Sequence, residues 1–200
     1  MKTLIARSDP LLPDVHRSYR SLVSVQPAQG CTVKLRQVGS NVVATGSGAI
    51  NLTGLTFFAP GVAEFSQMTA NSGQITTGAA GVNVDLYRGF TGPTSFGSGS
   101  QFVANFGSGA FVGIFGSGFV GLIVPQGYQS NAALSSSSTW NNATFASLGV
   151  FTGAYAWTWG SGLPNQEFIL EIGRAEAPDG GSTVSLSVLL YSGWLPCGTN

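Results

Sequence analysis

Few residues in this chain are of types that do chemistry, and their spacing decides most of what they can do. Gly116-Ser-Gly118-Phe-Val-Gly121 fits G-x-G-x-x-G, the pattern that sets a pyrophosphate on a helix N-terminus in dinucleotide-binding folds. That chemistry needs a helix after the glycines and an acid about 20 residues on to hold the ribose. Here Phe119-Val-Gly-Leu-Ile-Val124 is β-branched and aromatic, Pro125 closes it, and no Asp or Glu occurs between Asp85 and Glu167. The glycines are therefore predicted to be turns and tight strand positions, where another backbone or a bulky side chain packs closely. The pattern is fortuitous, and no cofactor is expected.

A serine-type triad needs a base, and the single histidine, His16, lies in an irregular leader. No recognisable set of three or four His, Cys or acidic ligands exists for zinc, so no metal is expected. In Glu167-Phe-Ile-Leu-Glu171, a period of two puts both acids on one strand face and Phe168, Leu170 and Ile172 on the other. Four strand residues span about 13 Å, beyond the roughly 5–9.5 Å that glycoside hydrolysis uses. These are solvated acids outside a core strand, and nothing in sequence brings Glu64 and Asp85 together. Cys31 and Cys197 make no C-x-x-C pair; they are either free thiols or a long-range disulfide. Asn51-Leu-Thr53 and Asn142-Ala-Thr144 are formal glycosylation sequons. No catalytic residue is expected.

Tyr155-Ala-Trp157-Thr-Trp159 places three aromatics on one strand face, with Ala156 and Thr158 on the other. Exposed, the stripe would stack on sugar rings and serve as a glycan-binding platform. Buried, it would supply a large apolar share of the core. The small, mildly polar opposite face suits solvent and favours burial.

The elements that must position these residues follow from composition. Apolar residues make up 43% of the 200 and charged residues only 8%, against a usual share of roughly 25%. Solubility must rest on hydroxyls, amides and backbone. Eight basic and eight acidic residues cancel, which leaves no basic patch for nucleic acid or an anionic membrane. The charges are also unevenly placed: Lys2, Arg7, Arg17, Arg20, Lys34 and Arg36 precede residue 37, whereas residues 37–166 hold only Glu64, Asp85 and Arg88. That shift marks a boundary near Cys31. Residues 1–30 have no convincing period, are interrupted by Pro10, Pro13 and Pro27, and lack the apolar stretch of a secretory signal.

From Thr32 short alternating runs begin. TVKLRQV, a turn at Gly39-Ser-Asn41, and VVATGSGAINL predict a β-hairpin with Val33 and Leu35 on one face and Lys34 and Arg36 on the other. LTFFA, QITT, VNVDLY, QFVANF, AFVGIF, FVGLIV, TFASL, AYAWTW and EFILEIG predict further strands, separated by Gly, Ser, Pro and Asn clusters. No window keeps a helical period. The expectation is an all-β fold: a single antiparallel β-sandwich, jelly-roll or Ig-like, over residues 31–174, with irregular N- and C-terminal tails. Strand edges this poor in charge also predict weak self-association.

Several stretches resemble a class of exported bacterial proteins that end in a short sorting signal, the PEP-CTERM class and its VPDSG-type relatives. They are Gly46–Leu55, Gly89–Gly97, Trp140–Gly149, Gly153–Gly160 and Phe168–Ile172, taken in order and spacing over residues 32–173. In the tail, residues 175–200, Ala177-Pro-Asp-Gly-Gly-Ser-Thr-Val184 resembles the signal, with Pro178, Asp179, Gly180, Gly181 and Ser182 in the matching positions. The resemblance implies export to the cell envelope or an exopolysaccharide matrix, no catalytic activity, and processing by an exosortase-like membrane protease. After the signal the class expects an apolar anchor and a basic cluster. This chain has VSLSVLLYSGWLP, about 13 residues against the roughly 20 that span a bilayer. Both ends depart from the pattern while the middle keeps it. The termini are thus expected to come from a shifted frame or a misassigned start that replaces a signal peptide and an anchor.

Overall fold

The computed structural model describes residues 30–118 and 120–173 of the chain. The leader before residue 30, with His16, and the tail with Pro178, Asp179, Gly180, Gly181, Ser182 and Cys197 lie outside the described residues.

The predicted hairpin forms as β1 (Cys31–Val38) and β2 (Asn41–Ala49), closed by Gly39 at φ 59° and Ser40. Val33 and Leu35 are buried and Lys34 is exposed, as the alternation requires. The chain then runs through β3 (Thr56–Ala63), β4 (Gln67–Thr69), β5 (Gln74–Thr77), β6 (Val82–Arg88) and β7 (Phe90–Thr91). It continues as β8 (Gln101–Val103), β9 (Phe106–Gly109), β10 (Val112–Phe115), β11 (Gly121–Pro125), β12 (Ala133–Trp140), β13 (Gly153–Trp159) and β14 (Glu167–Ile172). The single helical element among the described residues is a 3-10 turn at Ala70–Ser72. No helix there is long and apolar enough to cross a membrane.

The strands form two seven-stranded sheets in a β-sandwich-like arrangement. The first has the order β7-β13-β14-β1-β2-β12-β9 and the second β3-β6-β11-β10-β5-β4-β8. All named strand pairs are antiparallel except one: β1 and β14 run parallel, from Cys31 opposite Phe168 to Leu35 opposite Ile172. The expected purely antiparallel sheet therefore fails at its centre. The inner faces enclose one main core. Cys31, Val33, Leu35, Trp157, Phe168 and Leu170 come from the first sheet, and Met68, Ile75, Val112, Ile114 and Leu122 from the second.

Two strand expectations need correction. QFVANF is two strands in different sheets, β8 and β9, parted at Ala104-Asn105. TFASL is a tight turn, held by reciprocal bonds between Thr144 and Ser147 and by the Leu148 amide donating to the Thr144 carbonyl at 3.0 Å. Conversely, the serine-rich β12 gives little apolar alternation, yet it is a strand, paired between β2 and β9. Its inward Ser136 and Ser138 are buried and satisfied: Ser136 Oγ bonds Thr77 Oγ1 at 2.7 Å, and Ser138 Oγ accepts from the Gly78 amide at 3.2 Å. Paired hydroxyls avoid the desolvation cost of buried polar groups.

Candidate functional site

The aromatic strand is built inward. Tyr155, Trp157 and Trp159 do share one face of β13, and that face meets the core. Trp157 is 0% exposed, Trp159 6%, and Tyr155 is half-buried. Trp157 packs edge-on against Phe168 at a centroid distance of 6.0 Å and donates from Nε1 to the Pro93 carbonyl at 2.9 Å. Tyr155 leans on Phe96 at 5.9 Å, and its hydroxyl donates to the Phe151 carbonyl at 3.1 Å. A stacking platform needs ring faces open to solvent, and the two indoles offer none. The glycan platform at Tyr155, Trp157 and Trp159 is therefore withdrawn.

Around Trp159 lies a polar hub that sequence reading missed. Its Nε1 donates to the Asn51 carbonyl at 2.7 Å, and Asn51 Nδ2 donates to the Pro164 carbonyl at 3.2 Å. Gln166 is buried; its Oε1 accepts from the Ser161 and Leu163 amides, while Nε2 donates to the Thr53 carbonyl at 2.6 Å. These bonds fold the 160–166 loop beside an open cleft of about 630 Å³. Thr91 and Thr158, opposite one another in register, line it, and Glu167 is its single ionisable residue. The cleft can hydrogen-bond a neutral hydroxylated molecule. Because the side-chain nitrogen of Asn51 is engaged in this hub, the first sequon is structural; Asn142 of the second is exposed.

The carboxylates stay apart. Glu167 and Glu171 occupy the outer face of β14, and Glu171 pairs with Arg36 at 3.6 Å. Asp85 accepts from the Gly127 amide at 2.8 Å and lies opposite Pro60. Glu64 lies just past the end of β3, four residues beyond Pro60. Among the described residues no group of three His, Cys, Asp or Glu could hold a metal ion. Cys31 is wholly buried, and burial pushes its thiol up to about 12, so it is not poised as a nucleophile.

The glycine pattern is a hairpin turn. Gly116 to Gly118 join β10 to antiparallel β11, so a strand follows them. A Cβ on Gly116 would lie 2.5 Å from the Pro93 carbonyl oxygen and 2.9 Å from that of Gly73. Close backbone approach explains the residue.

The outer face of the first sheet carries a feature that only register reveals. Thr32, Ser47 and Ser135 stand side by side across β1, β2 and β12, and Thr45, Ser137 and Ser108 stand side by side across β2, β12 and β9. All six are exposed or half-buried. Strand spacing sets neighbours about 4.8 Å apart, and two strand residues separate the rows by about 6.7 Å. A hydroxyl has one donor and two acceptor sites, and that of Thr32 already donates to the Gly30 carbonyl at 3.3 Å. The six residues are uncharged; exposed Lys34, opposite Thr45 on β1, and Phe106, two residues before Ser108 on β9, border them.

The chain matches no protein-family model, no curated protein and no solved structure.

Proposed function

We propose that this is a non-enzymatic, exported protein of the cell surface or extracellular matrix, which meets neutral exopolysaccharide through the outer face of its first sheet. The observation that carries the reading is the pair of hydroxyl rows, Thr32–Ser47–Ser135 and Thr45–Ser137–Ser108. A repeating neutral polymer presents hydroxyls at regular intervals, and a fixed hydroxyl grid can exchange hydrogen bonds with it at little cost in side-chain entropy. The separated carboxylates support a binding role over hydrolysis.

Export rests on the family resemblance. In this reading an exosortase-like protease acts at Pro178–Ser182 and the β domain is the mature unit. The sandwich is taken to be of jelly-roll or Ig-like type, with the chain crossing between the two sheets six times. Weak self-association is also part of the proposal, through edge strand β9, whose Phe106 is 68% exposed. Sedimentation of a strict monomer at high concentration would remove that part.

Co-sedimentation with the neutral polysaccharide of the native host's matrix tests the surface. The wild type should pellet with the polymer, and a Thr45→Val, Ser47→Ala, Ser137→Ala variant should lose most of the bound fraction. Thr158→Val, in the cleft, should bind as the wild type does. If the triple variant binds equally, or the wild type does not bind, the reading is wrong.

A further inference from the structure

We propose that the fold is a tension-bearing clamp, with its two terminal strands loaded in shear when the chain is pulled from its ends. This goes beyond the proposed polysaccharide role and stands on topology alone.

The described chain enters β1 at Cys31 and leaves β14 at Ile172, and these strands are direct, parallel neighbours. The register runs Cys31–Phe168, Thr32–Ile169, Val33–Leu170, Lys34–Glu171 and Leu35–Ile172. Entry and exit are therefore at opposite ends of one strand pair. A force drawing the ends apart pulls β1 toward its own N-terminus and β14 toward its own C-terminus. The two must slide past one another along their axes, so all five register pairs are strained together. In an antiparallel terminal pair entered and left at the same end, the same force would open the bonds one after another.

Three further features close the clamp. Both terminal strands are central, with β1 flanked by β14 and β2 and β14 flanked by β13 and β1, so neither can be peeled from an edge. Sliding β1 also shears its antiparallel register with β2, from Thr32–Ser47 to Val38–Asn41. It drags Cys31, Val33 and Leu35, each 0% exposed, out of the core. Beyond the last register pair, the Gly173 amide donates to the Leu35 carbonyl at 3.2 Å, and Arg36 Nη1 donates to the Glu171 carbonyl at 3.3 Å. Those bonds tie the exit of β14 to β1 where the load arrives. Forced unfolding is governed by the unfolding barrier rather than by equilibrium stability, and this arrangement raises that barrier for one direction of pull.

Single-molecule force spectroscopy on one polypeptide tests the proposal. The full chain carries peptide tags at both ends, Cys197→Ser, and Ser161→Cys in the exposed β13–β14 loop; Cys31 is too buried to compete for coupling. Pulled from its two ends, it is loaded in shear. Pulled between the N-terminal tag and residue 161, which lies at the same end of the sheet as Gly30, it is loaded laterally. The shear geometry should give a several-fold higher rupture force at equal loading rate. It should also give one main extension of about 50 nm, since residues 31–172 extend at roughly 3.5 Å each. Equal forces in the two geometries would overturn the proposal, as would stepwise release of other strands before β1 and β14 part. Because both pulls use the same molecule, a folding defect cannot mimic either result.

Discussion

Replacing Gly92 by Ala separates a buried Trp157 from an exposed one by the sign of the effect. Gly92 is absent from the positive-φ positions, so the backbone itself accepts a side chain. Taken alone, the substitution would stabilise by about 0.4–1 kcal/mol, through lost freedom in the unfolded chain. The space is the obstacle. A Cβ there would lie 2.4 Å from Cδ1 and 2.6 Å from Cγ of Trp157, and 2.9 Å from the Ala156 carbonyl oxygen. The indole cannot give way freely, because Phe168 and the Pro93 carbonyl hold it. Overpacking of this kind costs about 1–3 kcal/mol, and its middle value, less the gain above, leaves a net loss of about 1–1.6 kcal/mol. With a urea m-value near 2 kcal/mol per molar, the midpoint should fall by roughly 0.5–1 M. Trp157→Ala removes both close ring atoms, so Gly92→Ala should cost less in that background. Urea unfolding followed by far-UV circular dichroism reads both effects. An unchanged or raised midpoint for Gly92→Ala alone would refute the packing described for β13.

Two other perturbations report on the same core. The Tyr128 hydroxyl accepts from the Ile50 amide at 3.0 Å and donates to the Ala132 carbonyl at 2.5 Å. Tyr128→Phe should cost about 1–3 kcal/mol by leaving that amide without its acceptor, and hydrogen exchange at Ile50 should accelerate. Cys31 should resist maleimide in the folded protein and react at once in urea. Its raised folded value means the stability it contributes is complete below pH 9, its ordinary value, and lost as pH rises toward about 12. Between these limits stability should fall by up to about 1.4 kcal/mol per pH unit. Burial also raises Tyr87 and Tyr128, so the Cys31→Ala variant should reduce this alkaline loss without abolishing it.

Period-two alternation made much of the fold legible. It set the faces of β1, β13 and β14 because each turns large apolar residues inward, opposite an outer face of mostly small, polar or charged ones. The same rule failed at β12, whose inward positions include Ser136 and Ser138. Their burial depends on Thr77 and Gly78, about 60 residues away in sequence, and no local pattern encodes such a partner. It failed again at QFVANF, where a continuous apolar rhythm hides a change of sheet. The parallel β1–β14 pair was equally hidden, since strand direction depends on topology rather than on composition. For the candidate site, the facing of Tyr155, Trp157 and Trp159 was readable as one shared side, and the small residues opposite favoured burial. The hydroxyl rows were not readable. Thr45, Ser137 and Ser108 become neighbours only once three strands from distant parts of the chain are in register. The hub of Asn51 and Gln166 likewise joins two loops with no shared motif.

Intact mass, measured separately on cytosol, envelope and medium of the native host, tests the exported surface-protein account most directly. The account predicts a species trimmed near Cys31 and near Asp179, recovered outside the cytosol. An untrimmed chain of 20.5 kDa confined to the cytosol would contradict it.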